Sequence, residues 1–231
     1  MDVVEKIEDA LSRQGLLLRG AFHISREKIE ALSPDFGAGS GATVFMIGNA
    51  GPQMWQHFSK GRREEDNPLD CWVERLLKPL ADALGARLVM PSDGPPYAPF
   101  QQWAMRSEPV HPSPIGPLIH PHYGLWHAYR AALVMAGEVP VPPREETASP
   151  CENCAERPCL TACPVSAFRY EDGERSYDYV ACQSYLHTPG GEICMAGSCQ
   201  ARRACPVGRE WTSEPPQARF HMRSFRKPLP K

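Results

Sequence analysis

Apolar positions in the first part of the chain alternate between helical and strand periods. Val3, Val4, Ile7, Ala10 and Leu11 share one face of a helix over residues 2–13, which Gly15 can end. Residues 16–24 then read as a strand, residues 43–47 as a short apolar strand, and residues 52–60 as a short helix. Asn67 and Pro68 supply a cap and a first-turn proline for a long helix. Its apolar face is Cys71, Val73, Leu76, Leu77, Leu80 and Leu84, with a kink at Pro79. On that face Cys71 is expected to be a small buried hydrophobe. Residues 87–90 read as a strand, 98–106 as a helix, and 129–135 as a buried strand. The glycine-rich residues 37–41 form a turn. They are no phosphate loop, because the closing Gly-Lys-Ser/Thr is missing and a strand follows.

Helices and strands out of strict alternation predict an α+β domain with a mainly antiparallel sheet. The proline-rich residues 139–144, followed by acidic and polar residues up to Pro150, mark the domain boundary. This divides the chain into residues 1–145 and residues 146–231. The second part shows little room for regular structure, and its stability is expected to come from metal as much as from apolar burial.

Composition narrows the function. Prolines number 25 in 231 residues, roughly twice the average usage of about 5%. A net charge of -2 gives no electrostatic case for nucleic acid or an anionic membrane. No leader pattern and no apolar run of membrane-spanning length is evident, so a cytoplasmic location is expected. Thiols stay reduced there, and dense cysteines then favour metal over disulfides.

Eight of the nine cysteines lie between Cys151 and Cys205. They read Cys151-x2-Cys154-x4-Cys159-x3-Cys163-Pro164, then Cys182, then Cys194-x4-Cys199-x5-Cys205-Pro206. Soft anionic thiolates suit iron–sulfur clusters or zinc. The two Cys-Pro junctions and the x3 spacing resemble the doubled ligand run of two-cluster ferredoxins, whose final cysteine ligates the other cluster. That rule assigns Cys151, Cys154, Cys159 and Cys205 to one [4Fe–4S] cluster. Cys163, Cys182, Cys194 and Cys199 take the second. Two structural zinc sites are the rival reading.

The stretch from His120 to Arg130 is the second informative region. Its residues alone indicate an aromatic turn entering a strand, with Gly124 where a flat group can approach the backbone. His120 and His122 carry only a weak metal signal beside an ordinary loop role. The order His120-Pro121, Tyr123-Gly124, Trp126 and Arg130 resembles the signature of cblC-type cobalamin-processing proteins. Asn67-Pro68-Leu69-Asp70 and the proline-rich connector are similar in order. The region also resembles epoxyqueuosine reductase, which joins a cobalamin-binding domain to a double-cluster module. Cys182-Gln183-Ser184-Tyr185-Leu186 is similar to a segment of that module, and Asp93 falls near that family's acid.

These resemblances imply a nitroreductase-like domain binding cobalamin, followed by a ferredoxin-like domain with two [4Fe–4S] clusters. They imply that Tyr123, Gly124 and Trp126 wall the corrin, with His120 close to it. Arg130 would pair with a corrin amide or a protein carboxylate. Asp93 would donate a proton, with a turn-capping role as its alternative. The function so implied is a reductase passing electrons from the clusters to cobalamin, as cofactor or as substrate, fed by an upstream electron-donor protein. The other readings are a ferredoxin-like electron carrier whose first domain only docks a partner, and a zinc-stabilised binding module.

Overall fold

The structure is a computed structural model that describes residues 2–25, 27 and 41–226. Apart from Gly41, the glycine-rich turn lies outside the described residues. The chain forms two compact units. The first comprises Met1–Pro109 and Ala128–Glu146, the second Val110–His127 and Thr147–Lys231. The change of unit at 146/147 adjoins the expected boundary. The segment Val110–His127, however, groups with the cysteine-rich unit rather than with the residues around it in sequence.

In the first unit, helix α1 (Val3–Ser12) starts at a capping box. The Asp2 carboxylate accepts from Glu5 N at 2.8 Å, and the Glu5 carboxylate accepts from Asp2 N at 2.9 Å. Strands β1 (Leu17–Ser25) and β2 (Gly41–Ala50) pair antiparallel. Helices α2 (Gln53–Gly61) and α3 (Pro68–Leu84) follow, then β3 (Arg87–Val89) and α4 (Phe100–Ser107). The short strands β4 (His111–Pro112) and β5 (Leu118–Ile119) pair within the second unit, before β6 (His127–Ala136) returns to the first. The main sheet has the order β1-β2-β6-β3, with β3 and β6 antiparallel.

Every residue of β2 after Gly41 is buried. Covered on both faces, the strand shows no alternation, which is why its polar ends Gly48 and Asn49 were not legible. Its core partners include Phe22, Ile24, Trp103, Ala132 and Val134.

Two expectations for α3 need correction. Asn67 adopts a left-handed conformation (φ 51°) and its side chain makes no capping bond. The helix buries Leu69, Trp72, Val73, Leu77 and Ala81, a face turned toward Trp72, whose ring meets Phe58 at 5.7 Å. Cys71 is therefore only half-buried, and its thiol donates to Asp66 O at 3.3 Å.

The second unit holds more regular structure than its sequence suggests. It contains α5 (Pro158–Thr161), the hairpin β7 (Phe168–Glu171) with β8 (Glu174–Tyr177), and α6 (Tyr179–Leu186). Then come α7 (Glu192–Gly197), α8 (Gln200–Ala204) and α9 (Pro215–Phe225). Asp172 and Gly173, with φ of 51° and 83°, make the tight turn of the hairpin. Among the described residues, no helix is long and apolar enough to cross a membrane.

Candidate functional site

The second unit sorts its eight cysteines into two groups of four. Cys151, Cys154, Cys159 and Cys205 line a narrow cavity of about 20 Å³, walled by Pro114, Ile119 and Val207. Cys163, Cys182, Cys194 and Cys199 line a separate cavity of about 490 Å³, walled by Phe168, Tyr177, Leu186 and Met222. Short elements achieve this. Cys159 rides on α5, which packs against α8 between Cys199 and Cys205. Cys182 and Cys194 sit on α6 and α7. All eight are free thiols.

Electrostatics repeats the grouping. Burial pushes the Cys159 thiol up to about 11, with Cys205, Cys151 and Cys154 adding to the shift. Burial likewise raises Cys151 and Cys205 in the first group, and Cys182, Cys194 and Cys199 in the second. Four thiolates in one such cavity are unfavourable without a positive centre to offset them. Soft donors in fours with apolar walls fit an iron–sulfur cube. Among the described residues, no three His, Cys, Asp or Glu side chains are gathered tightly enough to hold one metal ion. A tetrahedral zinc would need sulfurs about 3.8 Å apart.

Two side chains finish the wall of the larger cavity. Tyr177 shares this cavity with Cys182 and stacks on Phe168 at 4.8 Å. Burial, and then the Cys182 thiol, push the Tyr177 hydroxyl pKa upward. Arg202 lines the same cavity, donates to Leu125 O, and lies over the Trp126 ring at 4.5 Å.

The aromatic turn packs inside this unit. His120 and Gly124 exchange backbone hydrogen bonds at 2.9 Å, and His120 Nδ1 accepts from the backbone N–H of His122 and Tyr123. Gly124 (φ 57°) is a glycine because another backbone crosses it. A Cβ there would stand 2.0 Å from Val207 O. Gly208 (φ 70°) is its counterpart, where a Cβ would stand 2.4 Å from Tyr123 C. The turn thus meets the segment just past Cys205-Pro206.

The resemblance implies Tyr123, Gly124 and Trp126 as a flat wall for a corrin. In the structure Val207 and Gly208 pack over Gly124, and Trp126 is 3% exposed beneath Arg202. His122 is exposed and Tyr123 half-buried. They form an aromatic cluster with Trp211, whose ring lies 5.2 Å and 4.9 Å from theirs. Sequence reading missed Trp211, although its position just past the second Cys-Pro junction was a usable signal.

Two predicted residues belong to the first unit. Asp93 is exposed, and its carboxylate accepts from Met90 N at 2.8 Å within its own turn. That is the capping alternative. Arg130 Nε donates to Asn49 Oδ1 at 2.8 Å, and burial lowers its pKa to about 10, partly offset by Asp70. Beside it lies a buried network that the sequence did not reveal. Arg19 is 2% exposed and pairs with Glu108 through two contacts, 2.5 Å and 3.1 Å. The Tyr129 hydroxyl donates to Glu108, and the Arg19 guanidinium lies 5.0 Å from the Tyr129 ring centre. Burial and this carboxylate push the Tyr129 pKa well above the usual phenol range.

No family model matches the chain, and no curated protein does. Solved structures match its fold. The B12-trafficking protein CblC of C. elegans superposes with a TM-score of 0.54 at 14% identity, covering 97% of this chain and 90% of that one. Epoxyqueuosine reductase with an epoxyqueuosine-modified tRNA-Tyr stem loop gives 0.53 at 19% identity, covering 93% and 68%. The epoxyqueuosine reductase of Bacillus subtilis gives 0.51 at 15% identity, covering 90% and 65%. At such identities the likeness is one of fold.

Proposed function

We propose that this protein is an iron–sulfur oxidoreductase that delivers electrons to a cobalamin. The observation that carries this reading is the sorting of eight free cysteines into two cavities, each holding the quartet that crossed ligation predicts. Cys151, Cys154, Cys159 and Cys205 would hold one [4Fe–4S] cluster, and Cys163, Cys182, Cys194 and Cys199 the other. When bound, such clusters take up and release single electrons at low potential.

The protein residues set the conditions for that chemistry. Apolar side chains wall both quartets, with Cys159, Cys194 and Cys205 buried and the other five cysteines half-buried. Tyr177 stacks on Phe168 beside Cys182 in the wall of the larger cavity. The Arg202 guanidinium places a positive charge in the wall of the larger cavity and ties that wall to Leu125 and Trp126. The fold shared with the B12-trafficking protein and the epoxyqueuosine reductases supports a cobalamin as acceptor. His122 and Tyr123 of the turn, clustered with Trp211, are aromatic groups available to it.

A second reading is favoured by the inward Gly124 and Trp126, namely an electron carrier that binds no corrin. Anaerobic titration with cob(II)alamin separates the two. The cobalamin reading predicts a saturable change in the corrin spectrum, matched by binding heat. An unchanged spectrum with no heat leaves the carrier reading.

A further inference from the structure

Large exposed apolar side chains are concentrated on one part of the second unit. Tyr177, Tyr179, Val180 and Phe225 are 41%, 39%, 63% and 40% exposed. They are neighbours, with the Tyr179 ring 6.2 Å from the rings of both Tyr177 and Phe225. Gln183 Nε2 donates to Phe225 O at 3.2 Å, which fastens α6 to the end of α9. The patch also reaches the larger cysteine cavity, because Tyr177 and Phe225 line it together with Cys182. The other quartet surrounds a much smaller cavity, with Cys159 and Cys205 buried among Ile115, Ile119 and Leu125, and the exposed patch does not line it.

Charge identifies the occupant. Residues 215–226 hold three Arg and no Asp or Glu, in a chain whose net charge is -2. On α9, Arg219 and Arg223 stand one turn apart beside Phe225, and Arg226 follows at the helix end. Arg219 is 3.8 Å from Glu192, while Arg223 and Arg226 are exposed and carry no ion pair among the described residues. The nearby Asp178 carboxylate is engaged in capping α6. Aromatic groups at the centre with cations at the edge suit an acidic protein partner, steered by charge and held by apolar contact.

We propose that this face docks a small acidic electron-carrier protein and that electrons enter here, at the Cys163, Cys182, Cys194 and Cys199 quartet. The inference rests on the two-cluster reading. The step is balanced as a single electron lost by the reduced carrier and gained at this quartet, with no bond made or broken.

The test uses the full-length holoprotein, with flavodoxin hydroquinone as the carrier and dithionite as a small reductant. In the Val180→Asp/Arg223→Glu variant the bimolecular rate with flavodoxin should fall at least tenfold. The steep decline of that rate with added salt in the wild type should flatten. Iron content and the dithionite rate should not change, since both positions are exposed. An unchanged flavodoxin rate overturns the proposal. So does an equal slowing with dithionite, which would mean a damaged cluster rather than a lost docking face. A wild type that sediments as a dimer, with the variant a monomer, assigns the patch to a second copy and also overturns it. Wild-type protein without iron overturns the two-cluster reading itself.

Discussion

Replacing Cys205 with Ser is expected to remove one cluster and spare the other, lowering iron from about eight to about four atoms per chain. The discriminating experiment adds a second substitution. With crossed quartets, Cys205→Ser and Cys154→Ser strike the same site, so the double variant keeps about four iron atoms. Cys205→Ser with Cys182→Ser strikes both sites and leaves none. Ligation run by run along the sequence predicts the reverse, because Cys182, Cys194, Cys199 and Cys205 would then share one cluster. The structure puts Cys205 with Cys151, Cys154 and Cys159 in one cavity and Cys182 in the other. Serine is close in size to cysteine, so packing around Ile115, Ile119 and Leu125 changes little.

The second large effect lies in the first unit. Glu108→Ala should destabilise it by about 3–5 kcal/mol, because it leaves the buried Arg19 guanidinium without its carboxylate. It also strands the Tyr129 hydroxyl. At about 2–4 °C per kcal/mol, the melting temperature should fall by roughly 6–20 °C. Iron content should stay at the wild-type level, since the cysteines belong to the other unit. A loss below about 1 kcal/mol would mean that Arg19 finds water or another acceptor, and that the pair contributes no more than a surface salt bridge.

Legibility followed the range of the interactions. Local signals held up. The periodicity of Val3 to Leu11 gave α1, and the strand read over residues 16–24 matches β1. The hairpin signal Asp172-Gly173 was present but was masked by the density of cysteines around it. The cysteine spacing, read by the crossed-ligation rule, divides the eight cysteines as the two cavities do. What the sequence left out depended on distant partners. Gly124 looked like room for a cofactor, yet Val207 fills that room from more than eighty residues away. Arg19 sits in a strand of mixed pattern and acquires meaning only when Glu108 and Tyr129 close around it. Nothing local to Val110–His127 signals that it leaves its sequence neighbours for the cysteine-rich unit.

The most direct measurement is iron and acid-labile sulfide in anaerobically purified protein, with electron paramagnetic resonance after reduction. Two [4Fe–4S] clusters predict about eight of each per chain and a signal from reduced, interacting clusters. One or two zinc ions per chain, with no labile sulfide and no signal, would contradict the account.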